Sequence, residues 1–148
     1  MNTWTREETI VAFNVYCKIP FKSSSKTHPM IIKYAKLLGR SSSALNMKIG
    51  NIGRLDPDLK EQGITGLIHG AKMEEVVWNE FYGNPELLAF ESEKIIAQIS
   101  NQSIEDSTAI PIDDLPQGIE RTAIIRQRVN QSFFRSAVMS AYNFKCCI

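Results

Sequence analysis

The sequence predicts an all-α, or mainly α, fold: a three-helix, helix-turn-helix-like core carrying an acidic helical pair, a linker and a C-terminal helix. Apolar residues recur at i, i+3 and i+4 through successive windows of the chain. Capping residues or proline open those windows, and glycine or proline closes them. Only the last five residues, Phe144 to Ile148, read as the start of a strand.

The first helix is opened by Thr5-Arg6-Glu7-Glu8, a capping box in which the threonine hydroxyl accepts from the amide three residues on while Glu8 reaches back. Ile10, Ala12, Phe13 and Tyr16 follow at helical spacing, widened by Val11 and Val15, and Pro20 predicts an end near 17–19. Residues 20–28 form a basic loop rich in serine. Pro29 suits a first helical position, Met30, Ile31, Tyr34, Leu37 and Leu38 supply the buried stripe, and Gly39 suits a left-handed cap. Ser41 and Ser42 are N-cap candidates for a third helix, in which Leu45, Ile49 and Ile52 share one face. Helix, glycine turn, helix over 29–54 is the outline of a helix-turn-helix.

After Arg54 the chain predicts a turn-rich connector with one helical turn at 57–62. Residues 73–82 predict a helix with Val76, Val77, Trp78 and Phe81 inward. Pro85 opens another, reaching 98–101, with Leu87, Leu88, Phe90, Ile95, Ile96 and Ile99 as its apolar residues. These two acidic helices are expected to pack as an antiparallel pair on the basic core. Residues 101–118 hold two prolines, a glycine and four acids without periodicity, the composition of a linker. From Glu120 a helix resumes, with Phe134, Val138, Ala141 and Tyr142 on one face. The expected organisation is therefore a recognition domain over 1–100, a linker over 101–118, and a helix and first strand over 119–148.

Composition narrows the function classes. With 43% apolar and 22% charged residues in 148, the chain is ordinary globular material, neither disordered nor collagen-like. No run of about 18 apolar residues offers a membrane span, and the N-terminus lacks the pattern of a secretory signal. Three cysteines, two of them adjacent, make no disulfide framework, so a cytoplasmic setting is expected. Charge is segregated along the chain. Residues 1–54 carry nine Lys/Arg against Glu7 and Glu8, whereas residues 55–100 carry three against nine Asp/Glu. Residues 101–120 hold five acids and no base, and 121–148 hold five bases and no acid. Blocks of this kind suggest a polyanion partner, unless folding intermixes them.

With Leu45 and Ile49 inward, a step of about 100° per residue puts Ser43, Met47, Gly50, Asn51 and Arg54 opposite, with Asn46 and Lys48 on the flanks. Arg40 and the hydroxyls of Ser41–Ser43 would gather at the helix N-terminus, where free amides and the helix dipole favour phosphate. Arg40, Ser42, Ser43 and Lys48 are accordingly expected on DNA phosphates, and Asn46, Asn51 and Arg54 on base edges or in a groove. Neither His28 nor His69 has a second histidine at metal-ligand spacing. Asp56/Asp58 and Asp113/Asp114 read as turn caps, and Cys17 as a small core residue. With no phosphate-cradling glycine loop, dinucleotide fingerprint or nucleophile elbow, no assembled active site and no cofactor are expected in these residues.

The run RVNQSFFRSAVMSAYNFKCCI, Arg128 to Ile148, resembles the segment leading into the nuclease motif of bacterial HNH endonucleases of the restriction type, through Gln131, Phe134, Arg135, Tyr142, Cys146 and Cys147. WTREETIVAFNVYCKIPF (4–21), LLGRSSSALNMKIGNIGRLDP (37–57) and WNEF (78–81) resemble the region preceding the nuclease in the same proteins. The resemblance implies a DNA-recognition portion in which Gln131 and Arg135 bridge to a nuclease unit beyond Ile148. There a histidine would activate water and a divalent metal would be held. This chain by itself is then expected to be inactive. Two other readings share the residues: a non-catalytic helix-turn-helix regulator of double-stranded DNA, and an assembly module that forms a homodimer through residues 73–100.

Overall fold

The structure, a computed structural model, describes residues 3–65, 70–107 and 118–141. Every described element is helical: α1 (Arg6–Lys18), a 3-10 turn (Phe21–Ser23), α2 (Pro29–Leu38), α3 (Ser42–Gly53), α4 (Pro57–Glu61), α5 (Lys72–Phe81), α6 (Pro85–Ile99), α7 (Ile104–Ser107) and α8 (Ile119–Ala141). The mainly α expectation holds. The strand expected at 144–148 and most of the linker lie outside the described residues.

α1 is the axis of the fold. Its capping box forms as the sequence predicts, with Thr5 Oγ1 accepting from the Glu8 amide at 3.1 Å and the Thr5 amide donating to Glu8 Oε2 at 3.0 Å. Past that turn the helix is buried on nearly every side from Thr9 to Val15, because α2, α3, α5, α6 and α8 all pack against it. A helix so enclosed carries polar groups that must find partners inside. Asn14 Nδ2 donates to Ser92 Oγ at 2.6 Å, and Lys18 pairs with Glu93 at 2.9 Å, both reaching across to α6.

Two expectations about packing faces are corrected. On α5, Val77, Trp78 and Phe81 are buried while Val76 is exposed, and α5 and α6 dock chiefly on α1 rather than on each other. Trp78 supplies the reason: its ring stacks on Phe13 of α1 at 5.0 Å and on Tyr82 at 4.9 Å, turning α5 toward the axis. On α8 the buried stripe is Ile125, Val129 and Phe133, with Ala137 partly buried, and Phe134 and Val138 lie outside. One residue of phase separates the two stripes. The expected one neglected Ile125 and Val129, which continue through Phe133 at i, i+4, i+8. These residues join the same core as α1 and α6.

Candidate nucleic-acid interface

Between α2 and α3 the chain turns in three residues. Gly39 adopts φ +71°, the left-handed conformation that favours glycine, and the Ser41 hydroxyl caps α3 by accepting from the Ala44 amide at 3.1 Å. His28 is the N-cap of α2, its Nδ1 accepting from the Met30 amide at 3.1 Å. Asp56 caps α4 and also accepts from the Tyr16 hydroxyl. Cys17, close by, is held protonated well above neutrality: burial, with the Asp56 carboxylate adding to it, pushes the thiol up to about 12.

The cations expected on DNA are taken up by the fold. Lys48 is buried at 6% exposure, its ammonium 3.2 Å from Glu74 of α5, whose side chain has no exposed surface. This corrects the expectation that Lys48 meets phosphate, since it occupies a core position between Leu45 and Ile52. Arg54, half-buried, pairs with Glu75 at 3.3 Å and donates to the Ala71 carbonyl at 3.4 Å. Its guanidinium lies where a Cβ on Gly70 would stand, 2.3 Å from Nε. Arg40 pairs with Glu8 of α1 at 2.8 Å, donates to the Thr3 carbonyl at 3.1 Å and covers the Trp4 ring at 4.3 Å. Asn51 is half-buried, and its Oδ1 is enclosed with no hydrogen-bond partner. Three cations flanking or lying within α3 thus dock it onto α1 and α5.

The Glu8–Arg40 pair has a pH signature. Burial works against the Glu8 carboxylate, but hydrogen bonds from Arg40 and from the Thr5 backbone outweigh it and hold the group below the ordinary glutamate range. A depressed folded value means stability that is complete above the ordinary range and lost as pH falls through it toward the folded value. Acid unfolding of Glu8→Gln is therefore expected to show a shallower loss of stability across that window than wild type, read from urea midpoints at successive pH values.

What remains outward is different in kind. Ser43 and Met47 are exposed, Ser42, Asn46 and Gly50 half-buried. Ser24 Oγ donates to Asn46 Oδ1 at 2.6 Å, and Phe21 packs on Gly53, so the basic loop lies against α3. Of the nine cations in residues 1–54, Lys22, Lys26, Lys33 and Lys36 have no carboxylate partner among the described residues, and all four are exposed. Sequence reasoning passed over them because it sought cations on the third helix itself. The signal was present in PFKSSSKTH, a loop with two lysines and no acid. Gln131 and Arg135 are exposed on α8 and make no hydrogen bond or ion pair with the α2–α3 residues.

Among the described residues no group of three or more His, Cys, Asp or Glu is placed to hold a metal ion. No described helix is long and apolar enough to cross a membrane. No protein-family model, no curated protein and no solved structure matches this chain.

Proposed function

We propose that this chain is the duplex-DNA recognition portion of a cytoplasmic HNH endonuclease of the restriction type, with α2 and α3 acting as a helix-turn-helix. The observation that carries the reading is the set of four exposed lysines without carboxylates, Lys22 and Lys26 on the loop against α3 and Lys33 and Lys36 on α2. Neutralising phosphates is the largest sequence-independent term in holding duplex DNA, and exposed, unpaired ammonium groups are the ones able to do it. Lys48, Arg40 and Arg54 do not carry this reading; they hold the helices in place. Cutting belongs to the metal-binding nuclease unit of such enzymes, and Gln131 and Arg135 remain the candidates for the bridge toward it.

Fluorescence anisotropy with a labelled random-sequence duplex of about 25 base pairs, titrated across salt, tests the proposal. Each lysine-to-glutamine change is expected to reduce the slope of log K against log salt by about 0.9, and all four together by roughly 3.6. Salt-independent binding, or a slope untouched by the four substitutions, defeats the reading.

A further inference from the structure

Reading the α2–α3 face as a DNA surface raises the question of what its outer strip recognises, and the chemistry of that strip narrows the answer. With its cations turned inward, α3 presents a face without formal charge, formed by Ser43, Asn46, Met47 and Gly50. Met47 is 60% exposed, more than any other large apolar side chain on α1 to α6. Beside it lies a recess of about 300 Å³ walled by Ser24, Lys26, Ser43, Asn46 and Gly50. No acidic side chain lines it, and its one cation is Lys26, which is exposed. Guanine readout by a bidentate arginine needs a free guanidinium, which this strip lacks.

We propose that Met47 and Asn46 together read thymine in the major groove. Thymine presents there a hydrogen-bond acceptor, O4, directly beside the C5 methyl, a pairing no other base offers. The strip presents the complement. Asn46 Oδ1 accepts from Ser24, which leaves its Nδ2 as the donor for O4. The thioether of Met47 and the recess at Gly50, which has no side chain to fill it, receive the methyl. Cytosine offers an amino donor and no methyl, so both contacts fail. Lys26 at the rim is placed for the adjoining phosphate.

The inference rests on the preceding functional reading, and one experiment separates their failures. Duplexes are selected from a random pool by the full chain, and the winners remeasured with thymine replaced by uracil, which removes only the methyl. Selected sites are expected to hold a fixed thymine whose replacement weakens wild-type binding about fourfold, the value of burying one methyl-sized group. In Met47→Ala, whose exposed position leaves the core untouched, thymine and uracil duplexes should bind alike. Cytosine at that position should cost more than uracil. If no thymine is fixed, or the thymine–uracil difference survives in Met47→Ala, this inference falls while salt-dependent binding of the unselected pool still upholds the DNA surface. Absence of that pool binding removes both.

Discussion

Exchange of Lys48 for methionine is expected to remove about 3–5 kcal/mol of folding stability. Glu74 is the cause. Its side chain has no exposed surface, neither carboxylate oxygen accepts a hydrogen bond, and the Lys48 ammonium at 3.2 Å is its charge partner. A carboxylate in that position without its cation retains the full cost of leaving water, whereas the pair together roughly breaks even against an apolar equivalent. Against a typical total of about 5–15 kcal/mol, the single variant stands near the edge of folding. The double variant Lys48→Met with Glu74→Leu is therefore the informative partner: it is expected to recover to within about 1.5 kcal/mol of wild type, as volume-conserving exchanges do. Urea midpoints followed by tryptophan fluorescence suit the measurement, because Trp4 lies 5.0 Å from the Lys48 ammonium. A single variant that loses less than about 1 kcal/mol would show the pair to be solvated. The double variant should also keep the salt slope of DNA binding, since Lys48 meets no phosphate in the proposed arrangement.

The same ion pair marks where reading along the chain stops short. Helix ends were legible because each is decided locally: the Thr5 capping box, Gly39 at φ +71° and the Ser41 cap are settled by residues within four positions of one another. The partners of Lys48, Arg54 and Arg40 come from 26, 21 and 32 positions away, and nothing near α3 announces them. A clue did exist. Glu74 stands three and seven residues before Val77 and Phe81, on the apolar stripe of α5, and Lys48 lies between Leu45 and Ile52 on that of α3. A charge on an apolar stripe in each of two helices, with opposite signs, is the mark of a buried pair. The segregated basic and acidic blocks carried the same message, since folding joins residues 1–54 to residues 55–100 through four ion pairs among the described residues. The face of α8 was missed for a different reason. Phe133 and Phe134 are adjacent aromatics, and only a stripe traced from Ile125 assigns the inner one.

This division of labour among the cations also changes what a damaging substitution at the proposed DNA surface looks like. In the proposed arrangement, charge removal at Lys22 or Lys26 is expected to weaken DNA binding without touching the core, but the loop that carries them is itself fastened by an apolar contact at Gly53. A Cβ at that position would stand 2.4 Å from Cε2 of Phe21, the first residue of the 3-10 turn that begins the loop, and Phe21 in turn meets Tyr16 edge-on at 6.3 Å. Gly53→Val is thus expected to displace the Phe21 ring and to cost about 1–3 kcal/mol through overpacking. The gain in helix propensity on losing a glycine, about 0.5–1 kcal/mol against alanine and less for a β-branched residue, offsets only part of it. With Phe21 lifted, Lys22 and Lys26 lose their fixed position beside α3 while Lys33 and Lys36, on α2, keep theirs. The salt slope of DNA binding should therefore fall by up to about 1.8, the share of two lysines, and not by the share of four. Phe21→Leu, a smaller side chain at the point of collision, should absorb the new methyl groups, so the pair Phe21→Leu with Gly53→Val is expected to be more stable than the sum of the two single changes by 0.5 kcal/mol or more, as roughly found for residues in contact. Simple additivity, together with an unaltered salt slope in Gly53→Val, would mean that the loop is held against α3 by some other contact.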